Sequence, residues 1–475
     1  MAEAAYMMSI GGRSVAGAGE MDVVNPADGR AFAKAPDASR EQLDMAVDAA
    51  RKAFPQWSQT PIEERKALVS RLGDAIQDNL EPLKRLLTRE QGKPLADAEW
   101  EIGGSAQWCQ AGAMLELPIE TNEDSDERIS ITRHVPLGVV GAIAPWNFPV
   151  ILAIWKIVPA LIAGNTIVVK PSPFTPLSTL KVGELAQSIF PPGVFNVVSG
   201  GDNLGPWMTS HPGIDKISFT GSTATGKKVM ESASKDLKRI TLELGGNDAA
   251  IVMPDVDVEQ VVPELFWAAF KNTGQICVAT KRMYVHNAIY DQVADGLADY
   301  ARQVAVGDGA QQGVQLGPVQ NKLQYDRVLR LMDGAKAENL RFLVGGEPIK
   351  SDGYFIPVTI VDNPPDDAPV VTEEAFGPVL PLLRFEDVDD VVRRVNATSY
   401  GLGGSIWTSD LEAARRIGER LRCGTVWVNE TQYLTPFAPF AGHGQSGFGV
   451  ENGVSGLLEY AVPQTVSIRK KMSVA

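Results

Sequence analysis

The first regular pattern along the chain is a run of apolar residues at helical spacing between Arg40 and Gly92. In the segments EQLDMAVDAARKAF and ERKALVSRLGDAIQDNLEPLKRLLTREQG, apolar residues recur every three or four positions and charged residues fill the positions between them. This spacing predicts amphipathic surface helices, and Gly92 is suited to end the last of them.

Short β-branched runs alternate with helical segments in the next part of the chain. GNTIVVKPS and VFNVVSGG flank the helical TLKVGELAQSIF, while IDKISFT and ITLEL flank the helical GKKVMESASKDL. This alternation predicts a doubly wound parallel sheet, which binds ligands at the carboxyl ends of its strands. A second series, which runs from VEQVVPELFWAAFKN through RMYVH and IYDQVADGLADYARQV to CGTVWVN, predicts a second α/β domain.

Composition and charge narrow the class of protein. Of the 475 residues 44% are hydrophobic, and Lys+Arg 44 against Asp+Glu 58 gives a net charge of −14. This length predicts two or three structural units, and the negative charge disfavours binding to nucleic acid or to an anionic membrane. The most apolar stretch, residues 145–170, is interrupted by Asn147, Lys156, Pro159 and Asn165, so we interpret it as buried core and not as a membrane span.

The terminal segments and the cysteine spacing favour a cytoplasmic protein. The opening segment MAEAAYMMSIGG lacks a basic stretch followed by an apolar one, and RKKMSVA carries no prenylation or retention signal. Cys109, Cys277 and Cys423 are odd in number and widely spaced, which suits neither a disulfide framework nor a zinc site. We therefore predict a reducing, cytoplasmic environment and no metal site.

Two turns at predicted strand ends carry candidate cofactor-binding and base residues. In FTGSTATG, Gly221 and Gly226 bracket the passage from a strand into a helix, where free backbone N–H groups could bind a pyrophosphate. The alternative is a tight turn with a purely structural purpose. In LELGGND, Glu243 ends an apolar strand, so it is either an exposed strand-end residue or a general base whose pKa burial raises.

Two loops carry a candidate nucleophile and a candidate oxyanion donor. Cys277 lies in the polar loop NTGQICVAT, after a helix expected to end near Asn272, and Gly274 lets the chain turn. An isolated cysteine is commonly buried and inert, but a polar loop favours a nucleophile if local dipoles help to form the thiolate. In APWNFP, Asn147 is enclosed by two prolines and either caps its own backbone or donates to a developing oxyanion. Together the four groups fit the oxidation of an aldehyde by a thiol.

The chain resembles the aldehyde dehydrogenase superfamily from NPADG to SGFG, most strongly in PWNFP, GNTIVVKPS, FTGSTATG, LELGGN, GQIC and EEAFGPV. The resemblance implies an aldehyde dehydrogenase-like α/β fold with two doubly wound domains, a Rossmann-like cofactor domain (1–117 and 137–245) and a catalytic domain (246–445). A small β oligomerisation element (118–136) and a tail (446–475) complete it, and the edge-strand patterns ERISITRHV and QTVSIRK imply a homo-oligomer, either a dimer or a tetramer.

The resemblance also implies how the catalytic residues divide the reaction. Cys277 would attack the aldehyde carbon, while Asn147 and the Cys277 N–H would stabilise the oxyanion, and hydride would then pass to the nicotinamide. Glu243 would activate the water that hydrolyses the resulting thioester. Glu451 falls where many relatives have a glutamate proposed to relay protons, although the usual arginine before it is Val450 here.

NAD or NADP is the implied cofactor, with a slight preference for NAD. Relatives that prefer NAD commonly carry K-P-x-E, but Pro173 occupies the acidic position here. This change removes both a ribose acceptor and a charge that would repel a 2′-phosphate. The implied cofactor-binding residues are Trp146, Lys170, Ser172, Gly221, Ser222, Gly226, Leu244, Glu374 and Phe376.

The expected substrate tunnel is mostly apolar, which favours a bulky apolar or aromatic aldehyde. Lys271 leaves open a semialdehyde with a distal carboxylate, because semialdehyde-specific relatives place an arginine six residues before the cysteine and a second one at the position of Trp155. The other possibility is that Lys271 points to solvent. The implied tunnel residues are Phe148, Leu152, Trp155, Lys271, Ile276, Val278, Leu434 and Phe440.

Two other functions compete with this hypothesis. A cysteine hydrolase would need a base beside the thiol, yet none of the four histidines, His134, His211, His286 and His443, lies in these motifs. An acylating relative, which passes the thioester to coenzyme A, typically lacks the glutamate that is Glu243 here.

Overall fold

The structure is a computed structural model that describes residues 5–470. Its strands are β1 (Met8–Ile10), β2 (Arg13–Val15), β3 (Gly19–Asn25), β4 (Arg30–Asp37), β5 (Glu120–Asp124), β6 (Arg128–Pro136), β7 (Val139–Ile143), β8 (Thr166–Lys170), β9 (Phe195–Val197), β10 (Lys216–Thr220), β11 (Arg239–Glu243), β12 (Ala249–Val252), β13 (Arg282–His286), β14 (Arg341–Val344), β15 (Thr359–Asp362), β16 (Val379–Phe385), β17 (Gly403–Trp407), β18 (Thr425–Val428), β19 (Gly447–Phe448) and β20 (Ala461–Arg469).

Helices connect most of these strands. They are α1 (Arg40–Trp57), α2 (Ile62–Asp78), α3 (Leu80–Gln91), α4 (Leu95–Gly112), α5 (Ile151–Ala163), α6 (Leu177–Ala186), α7 (Leu204–Thr209), α8 (Thr223–Ser234), α9 (Val258–Phe270), α10 (Tyr290–Gln303), α11 (Lys322–Ala337), α12 (Pro369–Thr372), α13 (Val388–Val395), α14 (Leu411–Gly418) and α15 (Gly453–Leu458). Two short 3-10 helices span Lys271–Gly274 and Gly444–Ser446.

The first large sheet has eight strands in the order β19–β11–β10–β7–β8–β9–β1–β2. Its five central strands are parallel, whereas β19 and β1 pair antiparallel with their neighbours. Thr220 and Glu243 are paired residues at the carboxyl ends of β10 and β11. The predicted doubly wound sheet is confirmed, and its carboxyl edge carries the candidate base.

The second large sheet has seven strands in the order β14–β15–β16–β13–β12–β17–β18. All its neighbouring pairs are parallel except β14 with β15. Helix α9 leads from this sheet into the 3-10 turn before Cys277, so the second α/β unit presents the candidate nucleophile.

A third sheet has three strands in the order β20–β6–β5. Strands β20 and β6 pair antiparallel over nine residues, from Ala461 opposite Pro136 to Arg469 opposite Arg128. These are the two segments whose alternation suggested edge strands. Residues 1–4 and 471–475, which belong to the first and last predicted domain segments, lie outside the described residues.

The most apolar stretch of the chain is buried, as predicted. It forms α5, in which even Lys156 is only 1% exposed, followed by β8. Among residues 5–470, no helix has both the length and the apolar character needed to cross a membrane.

Candidate active site

Cys277 follows a turn with unusual backbone geometry. Three successive residues, Asn272, Thr273 and Gly274, have φ angles of 51°, 58° and 72°. A β-branched residue rarely adopts this left-handed conformation, and here the Thr273 hydroxyl donates to the carbonyl of Gly317 at 2.9 Å. At Gly274 a side chain is excluded, because a Cβ would lie 2.2 Å from the Gly377 oxygen. The expected glycine turn therefore places the cysteine.

The loop around Cys277 is polar in sequence but buried in the structure. Asn272, Thr273 and Gln275 are each 2% exposed or less. Burial raises the pKa of the Cys277 thiol to about 12, and the nearby Lys281 offsets only part of this effect. Desolvation of the sulfur therefore outweighs the local charge, so the condition that local dipoles help to form the thiolate is not met in this structure. The thiol is protonated at neutral pH.

Asn147 lies beside this loop and is 4% exposed. Its Nδ2 donates to the Gln275 carbonyl at 3.0 Å, so the amide is fixed by the loop that carries Cys277. The second N–H of this amide and the backbone N–H of Cys277 have no hydrogen-bond partner among the described residues. Both groups remain able to donate to an oxyanion.

A buried ion pair that sequence reasoning missed supports Asn147. Lys93 and Glu101 are paired with both side chains 0% exposed. Lys93 Nζ donates to the Asn147 carbonyl at 2.9 Å, and Glu101 accepts from the Val150 N–H at 2.9 Å. The pair thereby anchors both sides of the APWNFP loop. The sequence offered no signal, because Lys93, between α3 and α4, and Glu101, on α4, are residue types that ordinarily face solvent.

Glu243 faces the same region from the end of β11. It is 4% exposed, and neither of its carboxyl oxygens has a hydrogen-bond partner in the described structure. Burial raises the pKa of Glu243 well above its ordinary value; the nearby Glu451 raises it further, while Lys156 lowers it. Glu243 is therefore not an exposed strand-end residue, and its role as a general base stays a prediction.

Glu451 is close enough to Glu243 to interact with it electrostatically, but it does not line the pocket. Lys156 Nζ donates to Glu451 Oε1 at 2.7 Å, and each side chain is 1% exposed. The other carboxyl oxygen of Glu451 has no partner among the described residues. An ion pair buried in this way is retained at a considerable desolvation cost.

An apolar pocket of about 110 Å³ contains Cys277, Asn147 and Glu243. Aromatic rings dominate its wall: Trp155 stacks on Trp108 at 5.3 Å and meets Phe440 edge-on at 5.9 Å. All eight predicted tunnel residues line it, namely Phe148, Leu152, Trp155, Lys271, Ile276, Val278, Leu434 and Phe440. Five further wall residues were missed, namely Trp100, Trp108, Ile151, Thr220 and Gln432.

The spacing of Trp100 and Trp108 could have identified two of these residues. They are eight residues apart on α4, and this interval returns to one face of a helix. Thr220, at the end of β10, lines this pocket and also the neighbouring cleft. The two cavities therefore meet at that residue.

Lys271 lines the pocket instead of pointing away from it. Its ammonium lies 5.1 Å from the centroid of the Trp100 ring. Within residues 5–470 this ammonium has no hydrogen bond and no ion pair. Its charge acts over a longer distance on Asp97, where it opposes the rise in pKa that burial causes. A cation without an acceptor therefore borders an apolar cavity.

A cleft of about 570 Å³ opens at the carboxyl ends of β7, β8 and β10. Trp146, Lys170, Ser172, Gly221 and Ser222, all predicted to bind the cofactor, line it. The Ser222 hydroxyl caps α8 by accepting from the Thr225 N–H at 3.2 Å, and burial lowers the pKa of Lys170 to about 8. A helix N-terminus and a lysine in an open cleft fit a dinucleotide phosphate and ribose.

Gly226 and Leu244 pack against each other beside this cleft without lining it. A Cβ on Gly226 would lie 2.5 Å from a Leu244 methyl group, so the glycine allows close packing of helix α8. For Gly226 the structure therefore shows a packing role, and its contact with a pyrophosphate stays a prediction.

Glu374 and Phe376 lie at the boundary between the two sheets. Glu374 is 8% exposed and accepts from the Gly246 N–H at 3.0 Å. Phe376 has a positive φ of 46°, and its ring meets that of Trp146 edge-on at 5.3 Å. Such a conformation in an aromatic residue stores strain, which is typical of functional sites.

The four histidines lie away from the Cys277 pocket, since none is among its lining residues. His211 contacts Asp44, and His134 contacts the Pro118 carbonyl. In the described part of the chain, no imidazole is therefore placed to act as the base of a cysteine hydrolase.

Comparison with known proteins assigns the class of enzyme. The aldehyde dehydrogenase family profile matches residues 14–466, so the chain belongs to that family of NAD(P)-dependent oxidoreductases with a catalytic cysteine. A probable aldehyde dehydrogenase of a Pseudomonas species is 43% identical, covering 98% of this chain and 95% of the relative. The phenylacetaldehyde dehydrogenase of Pseudomonas fluorescens is 38% identical, over 98% of this chain and 96% of the relative.

Solved structures agree over nearly the whole chain. A betaine aldehyde dehydrogenase of Staphylococcus aureus in complex with NAD+ superposes with a TM-score of 0.96 at 33% identity, covering 99% of this chain and 96% of the other. An NADP dependent enzyme of E. coli superposes with a TM-score of 0.95 at 35% identity, covering 98% of both chains. The predicted aldehyde dehydrogenase fold is confirmed.

Proposed function

We propose that this aldehyde dehydrogenase oxidises an apolar or aromatic aldehyde to its carboxylic acid through a thioester on Cys277. The observation that supports this most directly is the convergence of Cys277, Asn147 and Glu243 on one apolar pocket. That pocket meets the proposed dinucleotide cleft at Thr220. The proposed nucleophile, oxyanion donors and base thereby line a pocket that adjoins the proposed cofactor cleft.

In the first half of the reaction, the Cys277 sulfur bonds to the aldehyde carbon. The free N–H of the Asn147 amide and the Cys277 backbone N–H donate to the oxygen that becomes negative. Lys170, Ser222 and Glu374 would hold the dinucleotide, which would supply the acceptor for the hydride of this carbon. The thiohemiacetal thereby becomes a thioester, and the thiol proton must leave the site because burial holds the pKa of the sulfur high.

In the second half, Glu243 removes a proton from the water that attacks the thioester. Neither of its oxygens is committed to another partner, so the ionised carboxylate is available as an acceptor. Because burial raises its pKa, the carboxylate is a stronger base than an exposed glutamate once it is ionised. Hydrolysis releases the acid and restores the thiol.

Glu451 is proposed to receive the proton from Glu243. The two carboxyl groups interact electrostatically, and one Glu451 oxygen has no partner in the described structure. Lys156 holds the other oxygen and keeps this carboxylate in place. The usual arginine before Glu451 is absent, so Lys156 is the residue that positions it here.

NAD or NADP would be held by Lys170, Ser172, Ser222, Glu374 and the backbone at Gly221, with Trp146, Leu244 and Phe376 packed around them. We keep the slight preference for NAD. Pro173 supplies no ribose acceptor, but Asp202 also lines the cofactor cleft. Its charge raises the pKa of Lys170 and so opposes the effect of burial. This carboxylate would disfavour a 2′-phosphate. Both dinucleotides have precedent, since one neighbouring structure holds NAD+ and another is an NADP dependent enzyme.

An assay panel tests the proposed function directly. Aliphatic, aromatic and carboxylated aldehydes would each be incubated with NAD+ and NADP+, and the reduced dinucleotide followed by absorbance. The aromatic wall and the likeness to a phenylacetaldehyde dehydrogenase support the highest kcat/KM for arylaldehydes. Failure of every aldehyde class with both dinucleotides would contradict the proposal.

A second candidate substrate class, aldehydes with a distal carboxylate, is supported by the unpaired Lys271 ammonium on the pocket wall. We expect Lys271→Met to lower kcat/KM for carboxylated aldehydes by about 10-fold or more, because a charge-assisted hydrogen bond contributes roughly 1.5–3 kcal/mol. The kcat/KM of the same variant for uncharged arylaldehydes should change by less than about 2-fold.

The matched control is Lys34→Met, which removes an exposed lysine in β4. It should leave both substrate classes unaffected. Equal losses for charged and uncharged aldehydes in Lys271→Met would show that Lys271 shapes the pocket without recognising a carboxylate.

We also propose that the chain forms a homo-oligomer through the sheet β20–β6–β5. Strand β20 is an edge strand in the described structure, and Val466 and Ile468, two residues apart, are about half exposed. Unpaired edges with apolar residues on one face are commonly covered by a second subunit.

The unpaired cysteines fit the predicted reducing cytoplasm.

Light scattering tests this assembly. The chain should have the mass of a dimer or tetramer at micromolar concentration, and Val466→Lys with Ile468→Lys should shift it towards smaller species. Leu237→Lys, at an exposed turn outside this sheet, serves as the control. A monomeric parent chain would refute the proposal.

A further inference from the structure

Lys281, four residues after Cys277, is a buried lysine inside the turn that carries the nucleophile. Its side chain is 4% exposed. Nζ donates to the carbonyls of Ile276, Cys277 and Ala279 at 2.8, 2.7 and 3.3 Å, which uses all three ammonium N–H groups. The peptide groups around the sulfur are therefore oriented by a single cation.

The same ammonium faces a carboxylate on the loop before β16, the strand next to β13 in the second sheet. Lys281 Nζ lies 3.6 Å from Glu374 Oε1, the oxygen that also accepts from the Gly246 N–H. A buried ammonium needs a compensating charge, and Glu374 supplies it. Lys281 thereby links the nucleophile turn to the proposed ribose-binding glutamate.

The charges around the Cys277 sulfur give Lys281 a distinct electrostatic role. Lys281 favours the thiolate, whereas the carboxyl groups of Glu243, Asp248 and Glu374 oppose it. Arg282 lowers the pKa of Asp248, and Arg327 lowers the pKa of Glu374. These two cations therefore stabilise carboxylates near the sulfur, whereas Lys281 stabilises the thiolate itself. Removal of Lys281 would leave the sulfur facing mainly negative groups.

We propose that Lys281 is a positioning residue for the nucleophile: it fixes the Cys277 turn through three carbonyl groups, and its charge, balanced by Glu374, stabilises the Cys277 thiolate. The inference rests on the proposed role of Cys277. It adds a residue that acts through the sulfur without touching the aldehyde.

Alkylation of Cys277 by iodoacetamide tests the proposal without aldehyde, dinucleotide or turnover. The reaction requires the thiolate, so its rate at a fixed pH of about 8 follows the thiolate population. Lys281→Met should lower this rate by about 10-fold, which corresponds to a shift of about one pH unit in the rate profile. Glu374→Gln should raise it, because the sulfur loses a nearby negative charge and Lys281 loses its counter-charge. Mass spectrometry of the Cys277 peptide separates this thiol from the other two.

Lys238→Met is the matched control. Lys238 is also a buried lysine that donates to two carbonyls, those of His211 and Ile214 at 2.8 and 2.9 Å, but it lies outside the site. The Lys238→Met variant should have a lower melting temperature and an unchanged rate of Cys277 alkylation. Lys281→Arg should recover most of the rate, because the charge is kept.

Opposite shifts in the two site variants support the proposal, and shifts in the same direction overturn it. An unchanged rate in Lys281→Met also overturns it. If that variant does not fold, Glu374→Gln decides alone, and an unchanged or slower rate then rejects the electrostatic role. Alkylation is measured without turnover. A failure of the Lys281 proposal can therefore be told apart from a failure of the proposal that Cys277 is the catalytic nucleophile.

Discussion

Replacement of Cys277 by alanine is expected to abolish aldehyde oxidation while the fold and dinucleotide binding persist. The sulfur forms the bond to the substrate carbon, and loss of a covalent nucleophile typically lowers kcat by about 10⁴-fold or more. The side chain is small and only partly buried, so its truncation should cost little stability. Turnover is measured by the absorbance of reduced dinucleotide, and binding by calorimetry.

The other two cysteines are natural controls for this experiment. Cys109 is fully buried on α4 and Cys423 lies next to β18, both outside the pocket. Cys109→Ala and Cys423→Ala should therefore retain activity and lose only some packing energy. Substantial turnover in Cys277→Ala would remove the thiol from the mechanism.

Replacement of Glu243 by glutamine is expected to separate oxidation from hydrolysis. Glutamine keeps the shape of the side chain but cannot accept the proton of water, so the thioester on Cys277 should form and persist. Stopped-flow absorbance should show a burst approaching one equivalent of reduced dinucleotide, followed by turnover lowered by about 10² to 10⁴-fold. Intact-protein mass spectrometry of the quenched variant should find the acyl group on Cys277.

The pH dependence adds a second readout for Glu243. Burial raises the pKa of this carboxyl, so the basic form is lost as the pH falls through a range above that of ordinary glutamates. Deacylation by the parent enzyme should therefore rise with pH through that range, and Glu243→Gln should lose the rise. Near-normal turnover in the variant would exclude Glu243 as the base, whereas loss of the burst would place it earlier, in activating the thiol.

Much of the fold was predictable because each element has a local cause. Apolar runs with turn residues at their ends marked β10 and β11, and these strands place Thr220 and Glu243 at one edge of the sheet. The glycine required at Gly274 was also visible as a turn, and the structure shows why no side chain fits there. The pocket walls at Phe148 and Trp155 followed from the family resemblance and not from periodicity.

The remaining features depend on contacts between distant segments. The burial of the Cys277 loop could not be predicted, because its polar residues are satisfied by partners such as Gly317, which lies 44 residues from Thr273. Likewise, Lys93 and Lys281 appear in sequence as ordinary surface cations. Only the folded chain shows that Lys93 donates to the Asn147 carbonyl and that Lys281 donates to the carbonyls of the Cys277 turn.

The pairing of β6 with β20 has a consequence for how the protein is made. Pro136 and its partner Ala461 are about 325 residues apart, which corresponds to roughly 15 to 65 s of translation at the usual 5–20 residues per second. Throughout that interval β6 has β5 on one side and an open edge on the other, and β11 lacks β19 until Gly447 and Phe448 have been made. The nascent chain is therefore exposed to edge-to-edge aggregation, and Lys156 waits for Glu451 until 295 further residues have been made.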